Sequence, residues 1–304
     1  MDNILLVFIC MLLGFFIKRS RQFPELSHKT LNQYVIYISL PALALYYIPK
    51  LVISEKLLFP LGIAWIGFGL SYVFFSALGK IFHWSKKLTG CLIITAGLGN
   101  TSFVGFPIVE ALYGTKALET AVIVDQPGSF MVVSTVAILV ATMYSRGKAD
   151  GVTIANKILF FPPFIAFLIA IFLNIFQINL PEVLQSVFQK LGNTITPIAL
   201  VAVGMQLEFD KRSKHWKFLA LGLLFKLFLM PAFFYIFYIS LLDAKGLDIQ
   251  VSILESAMAP MITGTIVAST YGLKPKLSSM MVGFGIPLSF ITLIFWYFLL
   301  QRVH

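Results

Sequence analysis

Long apolar runs follow one another along the whole chain, separated by short gaps that are polar, charged or marked by Pro and Gly. Residues 132–140 and 290–300 are nearly continuous apolar runs, whereas a transmembrane barrel would show short alternating segments. A helix needs about 20 apolar residues to cross a bilayer core about 30 Å thick. The pattern therefore predicts an all-α integral membrane protein with ten transmembrane helices, at residues 3–18, 28–48, 57–79, 88–113, 117–143, 157–177, 183–207, 216–241, 247–272 and 277–300.

The composition excludes an ordinary soluble protein. Of the 304 residues, 59% are hydrophobic and 12% are charged, and the mean hydropathy is +0.90. Soluble domains carry about a quarter charged residues. The two cysteines, Cys10 and Cys91, both lie in apolar runs, so the sequence predicts neither a disulfide framework nor a metal cluster.

Lys and Arg are distributed unevenly over the predicted connections. Sixteen lie in the odd-numbered connections and six on the other side, while Lys226 lies inside the eighth span. Because cytoplasmic loops carry the excess of Lys and Arg, this bias predicts a cell (inner) membrane protein with both termini on the non-cytoplasmic side. The net charge of +10 then reflects topology, and no nucleic-acid partner is expected. No positive charge precedes the first apolar run, which indicates a retained span and not a cleaved signal peptide.

The two halves of the chain match at an offset of about half its length. The matched positions are Pro41 with Pro197, Tyr113-Gly114 with Tyr271-Gly272, and Pro127 with Pro287, at offsets of 156, 158 and 160. A repeat with an odd number of spans inserts upside down the second time. The sequence thus predicts a first five-helix repeat at 1–144, a short cytoplasmic linker at 145–156, and an inverted second repeat at 157–304.

The fourth and ninth spans each carry a polar stretch that contains glycine and proline, at residues 98–107 and 254–265. Pro107 and Pro260 each disrupt the helix at the carbonyl four residues earlier, those of Phe103 and Ser256, so both helices are expected to break beside a cavity or inside protein. In an inverted repeat, the following half-helices point their positive N-terminal ends at the midplane and favour an anion. The predicted hydrogen-bonding side chains there are Asn100, Thr101, Ser102, Thr263 and Thr265. A plain proline kink in each span is the structural alternative.

Three ionisable residues lie away from the ends of the predicted spans, towards the bilayer interior: Asp125, Lys226 and Glu255. Charged groups in the bilayer interior are costly unless they are paired or hydrated, so each one is a candidate for function. One interpretation is a salt bridge between Lys226 and a carboxylate that holds helices together. The other has Glu255 or Asp125 bind a coupling cation or carry a proton, with Lys226 meeting an anionic substrate. Glu255 is the preferred coupling residue because it adjoins the second break.

An enzyme is not expected. All four histidines lie in predicted loops or at the terminus, Asp125 is the only aspartate within a predicted span interior, and no phosphate-binding loop motif is present. The pattern favours a secondary active or facilitative transporter of a small organic anion that works by alternating access. A passive channel or a membrane sensor of small anions is the alternative. No cofactor is expected, apart from Na⁺ or H⁺ as a coupling ion.

Several of these motifs together resemble the auxin efflux carrier family, in its bacterial branch. They are Ser39-Leu40-Pro41, the stretch from Gly99 to Pro107 followed by Tyr113-Gly114, the pair Asp125-Gln126, and the stretch from Glu255 to Gly272 with its Pro260. The resemblance covers essentially the whole chain. It implies two inverted five-helix repeats with crossing broken helices 4 and 9, a fold shared with bile-acid sodium symporters, in which a scaffold and a moving transport domain form.

The resemblance also implies roles for individual residues. Asn100, Thr101 and Pro107 correspond to the first crossover that faces the substrate, and Pro260 to the second. Glu255 is similar to an acidic residue that helps to hold sodium in the sodium symporters. Bacterial relatives are assigned to malate or malonate transport, and the scaffold in relatives often forms a homodimer, with membrane lipid as the surrounding partner. The plant Asn-Pro-Asn crossover and the long loop between spans five and six are absent, which argues against auxin as the substrate.

Overall fold

The computed structural model describes residues 2–20, 22–24, 26–50, 57–145, 160, 162–206 and 215–302. Within these residues the chain is helical and contains no strand. We number its helical stretches α1 (Asp2–Ile17), α2 (Ser27–Lys50), α3 (Leu58–Ile81), α4 (Lys86–Gly97), α5 (Thr101–Tyr113), α6 (Thr115–Tyr144), α7 (Pro162–Ile175), α8 (Glu182–Gly192), α9 (Ile195–Gln206), α10 (Trp216–Leu241), α11 (Leu247–Ser256), α12 (Ile262–Thr270) and α13 (Pro275–Leu300).

Five of these stretches, α2, α3, α6, α10 and α13, are long and apolar enough to cross a membrane. The chain is therefore a multi-pass membrane protein. The predicted span at 183–207 is interrupted in the structure, because α8 ends at Gly192 and α9 begins at Ile195. The predicted linker at 145–156 lies outside the described residues except for Ser145.

Local sequence determines where several helices begin and end. Ser85 caps α4, since its hydroxyl accepts a hydrogen bond from the Leu88 amide at 3.3 Å. Gly114 ends α5 with a φ of +83°, a conformation that glycine adopts without steric cost. Gly246, which also has a positive φ, of +113°, immediately precedes the start of α11.

The first helix packs closely on α9. Gly14 of α1 faces the Val201 carbonyl, and Gly204 of α9 faces the Met11 carbonyl, so that a methyl group at either glycine would collide with backbone. Small residues at helix contacts permit this close approach in membrane proteins. A hydrogen bond of 2.8 Å between the hydroxyls of Ser39 and Thr194 joins α2 to the segment that leads into α9.

Two of the three ionisable residues of the interior lie in π-helical turns. Asp125 lies in the turn Val124–Phe130 of α6, and Lys226 in the turn Phe225–Leu229 of α10. A third such turn, Thr101–Gly105, begins α5, and Glu255 packs against it from α11. π-Helical turns are rare and occur frequently at functional sites. Their presence around Asp125, Lys226 and Glu255 therefore marks this region as a candidate functional site.

Candidate substrate and ion site

The two broken helices meet at their breaks. The first break separates α4 from α5 at residues 98–100, and the second separates α11 from α12 at residues 257–261. The Asn100 amide donates to the Ala259 carbonyl at 2.7 Å, and the Met261 amide donates to the Leu98 carbonyl at 3.0 Å. Each break therefore supplies the hydrogen-bond partners that the other lacks, in a short antiparallel bridge.

A glycine lies at the centre of this bridge, opposite Pro260. A methyl group on Gly99 would lie 3.1 Å from Lys226 Nζ and 3.4 Å from the Glu255 carbonyl oxygen. Pro260 itself packs on Gly285 of α13, where a methyl group would lie 2.5 Å from the proline ring. Small residues on both sides of the crossing allow the two backbones and Lys226 to approach one another.

The position of the first break differs from the sequence-based expectation. Pro107 was expected to free the Phe103 carbonyl, but the non-helical residues lie further upstream, at 98–100. Pro107 is buried near the start of the α-helical part of α5, directly after the π-helical turn. Proline is tolerated in a first helical turn, and the wider π-helical turn accommodates its ring.

Asp125 is tied to the first break by hydrogen bonds. Its Oδ1 accepts hydrogen bonds from the hydroxyls of Thr101, at 2.6 Å, and Ser102, and its Oδ2 accepts one from Gln126 Nε2 at 3.0 Å. The carboxyl group is buried, with the residue 1% exposed. Three donors satisfy this carboxylate, so its negative charge is stabilised where it lies. Thr101 and Ser102, predicted to bind substrate, both donate to Asp125 in this structure.

Asn100 caps the half-helix that follows the break. Its Oδ1 accepts a hydrogen bond from the Phe103 amide at 3.2 Å, as an N-cap side chain does. Its Nδ2 is buried and has no hydrogen-bond partner among the described residues. An unpaired buried donor is costly, which makes this amide group a candidate to bind a ligand.

Lys226 reaches the second break. Its Nζ donates to the Ser256 carbonyl at 2.8 Å and lies 3.4 Å from the Met230 sulfur. Ser256 O is the carbonyl that Pro260 was expected to deprive of a helical partner, and this expectation is confirmed. The salt-bridge interpretation is not observed: among the described residues, the ion pair within 4 Å is Lys245–Asp243, on the surface.

Glu255 has the opposite environment to Asp125. It is completely buried at the end of α11, and among the described residues neither carboxyl oxygen has a hydrogen-bond partner. The side chain packs against Gly105, where a methyl group would come within 2.7 Å of Oε1. With Lys226, Thr101 and Gly99, it lines a cavity of about 10 Å³, room for about one water molecule.

A larger cavity of about 300 Å³ lies beside the breaks. Its polar wall contains Ser102, Asp125, Gln126 and Thr263, and the rest is largely apolar. Concave sites with an apolar lining and a few convergent polar groups are typical of small-ligand sites. The cavity brings together residues of α2, α5, α6 and α12.

One predicted site residue, Thr265, lies at a different cavity. Thr265, two residues after Thr263, faces a second cavity of about 290 Å³ that is also lined by Lys18, His28 and Lys29. Its hydroxyl donates to the Met261 carbonyl at 3.1 Å. Thr263 and Thr265 are two residues apart and point to opposite sides of α12, towards different cavities. The structure therefore does not bring all ten predicted site residues into one cavity.

Two residues at the site were not predicted as site residues. Gln126 lines the larger cavity and orients Asp125, and its Oε1 is buried without a partner among the described residues. Gly105 gives Glu255 its space. The sequence signal for Gln126 was its place between Asp125 and Pro127 inside an apolar span, whereas no local signal distinguishes Gly105. Among the described residues no cluster of three metal-ligating side chains occurs.

Comparison with known proteins gives consistent matches along the whole chain. Residues 1–297 match a family model described as membrane transport protein. The chain is similar to the uncharacterized transporter MJ1031 of Methanocaldococcus jannaschii, with 28% identity over 97% of both chains. It is also similar to an uncharacterized transporter of Methanothermobacter thermautotrophicus, with 26% identity over 97% of this chain and 96% of the other. The uncharacterized transporter YfdV of Escherichia coli is 23% identical over 90% of this chain and 89% of its own.

These matches cover the breaks, the larger cavity and the helices that carry Asp125, Lys226 and Glu255. They agree with a multi-pass membrane protein whose function is transport. The chain belongs to the membrane transport protein family, the auxin efflux carrier family that its sequence resembles.

Proposed function

We propose that this protein is a secondary active or facilitative carrier of a small organic anion, a carboxylate such as malate or malonate. The observation that carries the proposal is the hydrogen-bonded meeting of two broken helices beside a cavity of about 300 Å³. Broken helices that meet inside the membrane supply backbone groups and helix ends to a substrate. The cavity volume suits a small molecule.

The proposed architecture is ten transmembrane helices in two inverted five-helix repeats, with the crossing at spans four and nine. In support, the helical interruptions at 98–100 and 257–261 fall in these two predicted spans. Alternating access would then move the crossing and its cavity relative to the remaining helices. We further propose a cell-membrane location with both termini on the non-cytoplasmic side, and a homodimer as the assembled form.

The substrate carboxylate would bind near the start of α5 and α12. The Asn100 Nδ2 group and the Thr263 hydroxyl are the donors that support this assignment, because the first lacks a partner and the second lines the cavity. An apolar wall that includes Ile36, Leu40 and Phe130 would contact the carbon skeleton. Pro107 and Pro260 would shape the backbone and make no polar contact.

Charge at the site favours coupling to a cation. The larger cavity contains the carboxyl group of Asp125, and a second negative charge beside it would be repelled. Lys226 and a bound cation or proton at Glu255 or Asp125 would offset that repulsion. A substrate anion and a coupling ion would then bind together, as in a symporter.

Ligand-dependent thermal unfolding of the purified protein in detergent tests the substrate class. The panel is malate, malonate, succinate, lactate and indole-3-acetate, each with and without sodium and at two pH values. A ligand at a hundredfold excess over its Kd stabilises the folded state by about 2.7 kcal/mol. We expect one small carboxylate to raise the Tm, and a panel without any shift would contradict the proposal.

A pair of cap variants provides the control. Asn100→Ala and Ser85→Ala each remove a helix N-cap, which costs about 1 kcal/mol, but only Asn100 lies at the crossing. We expect the carboxylate-induced shift to disappear in Asn100→Ala and to persist in Ser85→Ala. Loss of the shift in both variants would mean that the effect is one of stability alone.

A passive channel or a sensor is the alternative function. Counterflow into proteoliposomes distinguishes it, because only a carrier exchanges labelled external substrate for unlabelled internal substrate against its gradient. Saturable uptake with counterflow supports the carrier, and uptake that rises linearly with concentration without counterflow supports a channel. Ligand binding without any flux supports a sensor.

A further inference from the structure

One buried ammonium group and two buried carboxyl groups lie around the two breaks. Lys226, Glu255 and Asp125 are all buried, at 2%, 0% and 1% exposure. If all three were ionised, one negative charge would have no counter-charge inside the protein. An unbalanced buried charge is strongly unfavourable, so the cluster must take up one exchangeable cation.

The hydrogen bonds indicate which of the two carboxyl groups binds the exchangeable cation. Asp125 accepts from Thr101, Ser102 and Gln126, so that both of its carboxyl oxygens are hydrogen-bonded. Glu255 accepts from no described residue, although it is the more deeply buried of the two. The exchangeable cation therefore belongs on Glu255, where the small cavity lies.

The backbone carbonyl groups at the breaks are not free to bind a metal ion, because hydrogen-bond donors already engage them. Hard metal cations need several oxygen ligands, and unwound carbonyls usually supply them in transporters. Here the carbonyls of Leu98, Ala259 and Asn100 accept from backbone amides, and the Ser256 carbonyl accepts from Lys226 Nζ. The Lys226 ammonium group thus occupies the position at the end of α11 from which a metal ion would bind the Ser256 carbonyl.

We propose that the second break is built for a proton and not for a sodium ion: Lys226 is its resident cation, and Glu255 carries the one exchangeable proton. The step is the reversible addition of H⁺ to the Glu255 carboxylate, with no other bond formed or broken. This inference rests on the proposed carrier function, for which it identifies the coupling ion.

Other charged groups do not compete for this role. Those on α11 itself and on the elements packed against it lie near helix ends: Lys80, Glu110, Lys116, Glu119, Asp248 and Lys276. Two of the acidic ones are already bonded, since Thr196 donates to Glu110 at 2.9 Å and Thr120 donates to Asp248 at 2.7 Å. Lys226 and Asp125 are the charged groups that face Glu255.

The first test needs no substrate. The Tm of the purified wild-type protein is measured in sodium, potassium and choline chloride at equal ionic strength. We expect the same Tm in all three salts. A rise of several degrees that is specific for sodium, and is lost in Glu255→Gln, would overturn the proposal.

The second test detects the proton directly. Infrared difference spectra between acidic and alkaline buffer should show a carboxylic-acid carbonyl band that is absent in Glu255→Gln and retained in Asp125→Asn. A band that survives in Glu255→Gln and disappears in Asp125→Asn would assign the proton to Asp125 and overturn the proposal. Glu110→Gln, bonded to Thr196 away from the breaks, is the matched control and should retain the band.

The third test links the proton to transport. In proteoliposomes that carry a substrate identified by the unfolding panel, a pH gradient should accelerate wild-type uptake and should have no effect on the residual uptake by Glu255→Gln. If every carboxylate fails while the infrared band and sodium indifference are found, the proposed substrate class fails and the proton site stands. If uptake occurs but follows sodium, the proton site fails and the carrier stands.

Discussion

The two buried carboxyl groups of this protein differ in what surrounds them. Asp125 lies in a π-helical turn and accepts three hydrogen bonds from side chains of the first break and of its own helix. Glu255 lies at the last turn before the second break, and its carboxyl oxygens have no hydrogen-bond partner among the described residues. Hydrogen-bond donors thus stabilise the carboxylate of Asp125, whereas no described donor stabilises that of Glu255.

The difference shows how one membrane interior supports two kinds of acidic residue. Donors that point at a carboxylate stabilise its charge without an ion pair. A carboxyl group without donors favours the neutral form in a dry environment unless a cation binds to it. Asp125 is thus suited to orient Thr101 and Ser102 at the cavity, and Glu255 is suited to exchange an ion.

Removal of the buried Lys226 ammonium group should have the largest effect. Lys226→Met deletes the positive charge and leaves the Ser256 carbonyl without its donor, so we expect a loss of about 4 kcal/mol of unfolding free energy and loss of transport. Lys245→Met is the control, because its ion pair with Asp243 is exposed and contributes at most about 1 kcal/mol. Denaturant unfolding in one detergent measures both, and equal losses would contradict a central role for Lys226.

Exchange of each carboxyl group for its amide tests the comparison itself. Asp125→Asn converts an acceptor of three hydrogen bonds into a poorer one, and we expect a cost of about 3 kcal/mol. Glu255→Gln breaks no hydrogen bond among the described residues, so its cost should stay below about 1 kcal/mol. The same unfolding experiment ranks the two variants, and the reverse order would show that Glu255 is the fixed charge.

A smaller effect is expected from filling the space around Glu255. Gly105→Ala brings a methyl group within 2.7 Å of Oε1, which should cost about 2 kcal/mol and slow any response to a pH gradient. Gly69→Ala is the matched control, since nothing lies within 4 Å of its added methyl group and the helix should gain about 0.5 kcal/mol. If Gly105→Ala left the unfolding free energy unchanged, the side chain of Glu255 would have more space than the structure shows.

The sequence was informative about the breaks because their signals are local. Glycine, proline and polar residues inside an apolar span predict an interrupted helix, and the structure has interruptions within both predicted stretches. Their placement within the stretch was less accurate: Pro107 is tolerated after a π-helical turn, and the first break lies near Gly99. A π-helical turn has no clear sequence signature, so the shift could not be foreseen.

The partners of the site residues were beyond the reach of the sequence. Thr101 and Ser102 are 24 and 23 residues from Asp125, and Lys226 is 30 residues from Ser256. Which of several polar groups meet depends on how the helices rotate about their axes, and a rotation of one residue changes the face by about 100°. For the same reason the sequence-based prediction placed Thr263 and Thr265 in one site, whereas in the structure they line different cavities.

The sequence by itself determined that this chain is an all-helical membrane protein of a transporter family, with two interrupted spans and three ionisable residues in its interior. Composition and spacing suffice for this, because the bilayer requires long apolar helices and penalises every charge. Only the tertiary structure decided that the two breaks pair with each other, that Lys226 reaches a backbone carbonyl, and that Asp125 is bonded while Glu255 is not. Those outcomes depend on contacts between distant segments, for which the order of residues along one helix carries no signal.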